Sequence, residues 1–125
     1  IDDYARFAGM LLQGGLANGS RMLDEKTVRY FTTACQSGAL CEEVQSAWAW
    51  SGGYNYGNLL RHCVAPERAV MLANRGEYGW DGWMGTVFIN DPAARTTLLV
   101  MAQLADGGFT PIARRLKNLL WRTEN

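Results

Sequence analysis

The chain has 125 residues, 48% of them apolar and 11% aromatic, which suits one packed globular domain and argues against a disordered segment. Lys plus Arg and Asp plus Glu both total 12, so the net charge is zero and the basic excess of a nucleic-acid-binding protein is missing. No apolar run has the length of a membrane span, and a charge near zero offers little repulsion against self-association. The opening residues Ile1-Asp2-Asp3-Tyr4 carry no initiating Met and no signal-peptide pattern, and they read as a helix start inside a longer polypeptide. Asp2 or Asp3 is placed to cap that helix. Tyr4, Phe7, Ala8, Leu11 and Leu12 recur on one face, and Gly14-Gly15 supplies the left-handed stop. A loop follows through Asn18-Gly19. Asp24 then caps a second helix, with Val28 and Phe31 turned inward and Thr32-Thr33-Ala34 fraying toward Gly38. Residues 35–47 show weak periodicity and suit a short helical turn or a loop.

The period changes next. Trp48, Trp50, Tyr54 and Tyr56 alternate with small or polar residues, the two-residue repeat of a strand, and Leu59 to Val64 continues it in extended form. Pro66-Glu67-Arg68 makes a turn. Ala69 to Ala73 is an apolar run that fits either a buried strand or a short helix, and it is assigned to an antiparallel sheet. Glu77 to Trp80 and Thr86 to Asn90 are strands, Asp91-Pro92-Ala93-Ala94 a turn, and Thr96 to Gln103 a strand apolar on both faces, as expected of a central one. Thr110-Pro111 opens the last helix with a cap residue and a proline at its first position. Ile112, Leu116, Leu119 and Leu120 form its apolar stripe, with Arg114, Arg115, Lys117 and Arg122 on the solvated side. The sum is an α+β domain over residues 1–125, in which two N-terminal helices and one C-terminal helix pack on an antiparallel sheet of three to five strands.

The segment Gly76 to Pro92 is the most informative. It crowds glycines and aromatics into the entry of a β-hairpin, and glycines let a backbone run close to another group. A bare edge strand there would be a natural place to receive a substrate. Trp80 and Trp83 fit a cleft or the filling of a hairpin–helix interface, whereas Trp48, Trp50 and Trp121 read as structural. His62, the single histidine, is placed on a strand surface, and Cys63 beside it lacks the spacing of a zinc site. Arg75 is a candidate partner of Glu77 or Asp81. Of three cysteines, Cys35 and Cys41 flank a short loop and would pair in an exported protein or remain free thiols.

Three phrases, in order, resemble the C-terminal part of the serine β-lactamase and penicillin-binding-protein superfamily, on the side of the class C β-lactamases and family VIII esterases. Asp3-Tyr4-Ala5-Arg6-Phe7-Ala8-Gly9-Met10-Leu11-Leu12-Gln13-Gly14-Gly15 resembles that family's DYARFxxMLLNGG helix, and Arg21 to Val28 its continuation. Gly53-Tyr54-Asn55-Tyr56-Gly57 resembles its GYGLG-type strand. Tyr78 to Thr86, Asp91-Pro92 and Met101-Ala102-Gln103 resemble its YGWGGxxGTxFxxDP…MxQ pattern. The resemblance implies a cleft built from a Ser-x-x-Lys nucleophile, a Tyr-x-Asn motif and a third, strand-borne motif. It places that third motif at Trp80-Asp81-Gly82, with Tyr78 and Trp83 as cleft neighbours. It implies acyl transfer on an ester, amide or β-lactam without cofactor or metal, and a periplasmic or secreted setting.

Two departures matter. Asp81 stands where such relatives carry a small residue, and an unpaired carboxylate there would repel anionic substrates unless an arginine or a backbone amide meets it. No serine among Ser20, Ser37, Ser46 and Ser51 is followed three residues later by Lys, and Tyr56-Gly57-Asn58 falls in the wrong place in the sequence order to be the second motif. Without an activated nucleophile there is no covalent path for acyl transfer, so the chain by itself is expected to be inert. The expectation is therefore a cleft wall that works with the remainder of a parent chain carrying the nucleophile. The alternatives are a non-catalytic binding or structural module, and a fragment that completes its sheet by homodimerising through an open edge.

Overall fold

The computed structural model describes residues 1–33, 36–105 and 108–123. Helix α1 (Asp2–Leu12) leads into a small hairpin of β1 (Leu16–Ala17) and β2 (Ser20–Arg21), then helices α2 (Glu25–Thr33) and α3 (Ala39–Ala47). Five strands follow: β3 (Tyr54–Gly57), β4 (Leu60–Cys63), β5 (Tyr78–Asp81), β6 (Val87–Asp91) and β7 (Thr96–Val100). Helix α4 (Pro111–Thr123) closes the described chain. The five strands form one antiparallel sheet in the order β3-β4-β5-β6-β7, so each strand pairs with its sequence neighbours. The α+β class and the antiparallel sheet agree with the sequence.

The sheet buries both faces, because side chains alternate along each strand. On one face Tyr78 and Phe88 pack with Ala8, Met10, Leu11 and Val28 of α1 and α2. On the other, Tyr54, Cys63, Val87, Ile89 and Leu98 pack with Phe109 and with Ala113 and Trp121 of α4. The helix ends follow local chemistry. The Gly15 amide donates to the Met10 carbonyl and the Gly14 amide to that of Leu11, a Schellman closure with Gly14 at φ 63°. Asp24 caps α2 through its Oδ1, which accepts from the Lys26 amide at 2.9 Å. Thr110 caps α4, its Oγ1 accepting from the Ala113 amide at 3.1 Å. Neither Asp2 nor Asp3 caps α1, since both lie in its first turn, where their charge still complements the helix dipole.

Several elements differ from the sequence expectation. Residues Ala39–Ala47 form a full helix rather than a turn or loop. Trp48 and Trp50 belong to the turn that follows, pinned by Ser51, whose Oγ accepts from the Trp48 amide and donates to the Trp48 carbonyl. The extended run expected from Trp48 to Val64 is instead a hairpin of β3 and β4, turning at Asn58 and Leu59 with φ 51° and 67°. Residues 69–73 are neither strand nor helix. Strand β7 is an edge of the sheet, and β5 is its middle strand. Phe31 and the aromatic rings of α1, Tyr4 and Phe7, are exposed. His62 is buried, its Nε2 within 3.1 Å of the Gly57 carbonyl, and burial lowers its pKa.

The largest difference is in α4. Its apolar stripe is exposed, with Ile112 at 65% and Leu119 at 61%, while Ala113, Lys117 and Trp121 face the sheet. Those three are spaced four apart, one side of a helix. Trp121 supplies most of the buried apolar area, and Ala113 lets the helix axis approach. Lys117 tolerates complete burial because Glu77 Oε2 lies 2.8 Å from its ammonium and the Leu72 carbonyl accepts from it. Glu77 Oε1 accepts from the Tyr54 hydroxyl at 2.8 Å. Arg75, expected at Glu77 or Asp81, reaches the Val64 carbonyl and an exposed Glu67 at 3.9 Å, a weak pair. Cys63 is buried and free, with its thiol pushed up to about 12 by burial first and then by the Glu77 charge. Cys41 makes no disulfide among the described residues, and Cys35, its suggested partner, lies outside them.

Candidate aromatic cleft at the end of strand β5

Strand β5 pairs with β6 along its whole length, from Tyr78 opposite Asn90 to Asp81 opposite Val87. Its pairing with β4 covers only Tyr78 and Gly79. Trp80 and Asp81 therefore extend past the sheet on one side. The bare edge expected of a whole strand is confined to these two residues. Gly82 follows, its amide donating to the Thr86 carbonyl at 2.8 Å, and starts the turn into β6.

Trp80, Asp81 and Gly82 line two open recesses. One, of about 390 Å³, is walled by Trp48, Trp50, Trp83, Gly108 and Phe109. The other, of about 220 Å³, lies between Tyr4, Phe88 and Met101. The Trp48 and Trp50 rings stack in parallel with centroids 5.3 Å apart and planes 1° apart. The Trp80 ring stands nearly perpendicular to both, at 6.4 and 6.3 Å. Tyr56 tilts against the Trp80 ring at 5.2 Å. Trp83 is 72% exposed and so fills no interface within the chain. Tyr78, expected beside the cleft, is buried under α1, with its hydroxyl accepting from Asn90 Nδ2 at 3.0 Å. The expected trio of Trp80, Asp81 and Gly82 is thus at a cleft together with Trp83, and Tyr78 is not.

Asp81 is answered by Arg61, a residue the sequence did not single out. Arg61 Nη1 donates to Asp81 Oδ1 at 2.7 Å, with both side chains almost fully buried. Burial raises the Asp81 pKa and the guanidinium opposes the rise. The Arg61 guanidinium also lies over the rings of Phe109, Trp50 and Tyr54 at 4.6, 5.2 and 5.5 Å. The carboxylate at position 81 is therefore part of a neutral pair under an aromatic roof. Replacing Asp81 with Ser, a small neutral residue, should lower stability by about 2 kcal/mol, because a charge-assisted hydrogen bond is lost and the guanidinium stays buried. A shift of the urea midpoint at constant slope would show it, and an unchanged midpoint would mean that water replaces the carboxylate.

Ser51 and Ser46 both spend their hydroxyls on backbone carbonyls. Ser51 is buried in the Trp48 turn, Ser46 donates to the carbonyls of Glu42 and Glu43, and His62 is committed to Gly57. Among the described residues no cluster of His, Cys, Asp or Glu could hold a metal ion, and no helix is long and apolar enough to cross a membrane. Arg61, Phe109 and the Trp48–Trp50 stack are functional candidates that sequence patterns missed. They reach the cleft from β4, from the segment before α4 and from the turn after α3. No protein-family model matches the chain, and no curated protein matches it.

Proposed function

We propose that this chain is the C-terminal part of a serine hydrolase related to the class C β-lactamases and family VIII esterases, and that Trp80-Asp81-Gly82 forms one wall of its substrate cleft. The observation that carries this reading is that the segment is a strand end, paired on one side only, that borders an open recess. An acyl group lying along Trp80 and Asp81 would find an unpaired strand edge on one side and an indole face beside it. The neutral Arg61–Asp81 pair removes the repulsion that a lone carboxylate would exert on an anionic substrate. Trp80 brings an apolar surface and one N–H donor, which favours ester-like substrates over ones that need a fixed cation.

The attacking serine would come from the remainder of the parent chain. Strand β7, an outer strand of the sheet, is one edge where further strands of that chain, or a second copy of this one, would add. The chain alone is expected to hydrolyse neither nitrocefin nor p-nitrophenyl esters, because cleft walls without a nucleophile supply little of the rate. The deciding experiment expresses the longer reading frame and treats it with a serine-reactive fluorophosphonate probe. Covalent labelling at a Ser-x-x-Lys serine supports the proposal. A reading frame without that motif, or turnover by this chain that the probe abolishes, overturns it.

A further inference from the structure

The larger recess has an unusual wall for a solvent-open site. Trp48, Trp50, Trp80 and Trp83 surround it, and Phe109 closes it from the α4 side. Trp48 is half-exposed and Trp83 more so, although indole is costly to leave in water. None of these four tryptophans donates its indole N–H to a protein acceptor among the described residues, whereas the buried Trp121 donates to Asp91 Oδ2 at 2.7 Å. The recess is thus walled by aromatic rings whose indole N–H groups have no protein acceptor among the described residues. Its volume of about 390 Å³ lies within the range of small-molecule sites, about 300–1,000 Å³.

Charge narrows the ligand class. Among the described residues that line the recess the one charged residue is Asp81, and it is neutralised by Arg61 at 2.7 Å. A cation finds no net negative charge there, because the Arg61 guanidinium offsets Asp81 and already lies over the rings of Trp50 and Phe109. An anion finds no free positive charge there, because the Arg61 guanidinium is already engaged by Asp81. A purely apolar ring would offer those indole N–H groups no acceptor. A pyranose meets each of these conditions. The axial C–H groups on one of its faces are apolar and polarised toward an aromatic π-cloud, and its equatorial hydroxyls accept from indole N–H groups and donate to a carboxylate.

We propose that the recess walled by Trp48, Trp50, Trp80, Trp83 and Phe109 binds a neutral saccharide through ring stacking on the indoles. The site goes beyond the hydrolase reading and needs no nucleophile, so it is testable on this chain alone. The experiment titrates the chain with chitotriose and with cellotriose, followed by calorimetry and tryptophan fluorescence. A dissociation constant between about 10 µM and 1 mM for either sugar is expected. Trp83→Ala removes a side chain that supports nothing in the fold, so it should weaken binding about three- to tenfold with the thermal midpoint unchanged. Trp48→Ala should do the same to binding. No response to either sugar at about 10 mM overturns the proposal, as does binding by both variants as tight as that of the parent chain. A response to tetramethylammonium or p-nitrophenol without one to the sugars also overturns it. Fluorophosphonate labelling of the longer chain reads none of this, so either proposal can fail while the other stands.

Discussion

Lys117→Met should destabilise the chain by about 3–5 kcal/mol, and the double replacement Glu77→Gln with Lys117→Met should recover most of that loss. Such a loss is a large share of the roughly 5–15 kcal/mol that holds a domain together. Lys117 and Glu77 are essentially without solvent exposure, 2.8 Å apart, on α4 and beside β5. Methionine matches the length of the lysine stem and suits the Trp121 ring that the ammonium now covers at 4.5 Å. The defect of the single variant is thus the carboxylate left behind, not a cavity. Glutamine at 77 removes that charge and still accepts from the Tyr54 hydroxyl, which now donates to Glu77 at 2.8 Å.

The same pair gives the variant a pH signature. Burial raises the Glu77 pKa, and Lys117 is the main influence opposing the rise. Removing Lys117 raises it further. A carboxyl whose folded pKa lies above its unfolded value contributes stability that is fully present below the unfolded value, about 4.3, and lost as pH rises through the folded one. The deficit of Lys117→Met relative to the parent should therefore be smallest near pH 3–4 and grow toward neutrality. Urea titrations across that range would check this. A deficit independent of pH, or a double variant as unstable as the single, would show that packing and not charge is at stake.

That ion pair also explains why α4 was only half legible. Its start followed from Thr110-Pro111, which are local signals. Its buried face did not, because the stripe Ile112, Leu116, Leu119 is the stronger apolar pattern and yet stays exposed. Which side of a helix is buried depends on the surface that receives it, and here that surface offers Glu77, 40 residues upstream of Lys117. The β5–β6–β7 meander was legible because Asp91 marks its turn: Oδ1 accepts from the amides of Ala93 and Ala94. The β3–β4 turn was not, since Leu59 sits at φ 67°, a conformation that β-turn sequence rules reserve for Gly, Asn or Asp. The loop expected through Asn18-Gly19 is a β1–β2 hairpin, whose positive φ values of 50° and 76° match a two-residue turn and whose strands, two residues each, are too short to show a period. Strand β7 looked central because both its faces are partly covered, by α1 on one side and the α4 core on the other, although no described strand lies beyond it. The cleft divides the same way. Trp80, Asp81 and Gly82 are contiguous and could be read together, whereas Arg61, Trp48, Trp50 and Phe109 meet only through the fold.

Gly79→Ala should be among the most damaging single substitutions in the chain, at about 3 kcal/mol or more. The glycines of the 76–85 segment suggested a backbone held open for a substrate. At Gly79 the close approach is internal. A Cβ there would come far inside 3.0 Å of the Phe88 carbonyl oxygen, on the neighbouring strand β6. That oxygen is backbone and cannot rotate away, so the β5–β6 ladder must part between Gly79–Ile89 and Trp80–Phe88. Gly82 provides the contrast. Its Cβ would meet Thr86 Oγ1, the tip of a side chain that can turn, so Gly82→Ala should lose about 1 kcal/mol and Thr86→Ala in the same chain should restore it. Denaturation midpoints of the three variants separate the explanations. If Gly79→Ala were as mild as Gly82→Ala, the β5–β6 ladder would be loose enough to yield, and the strand end at Trp80 would lose the rigid backing on which a cleft wall depends.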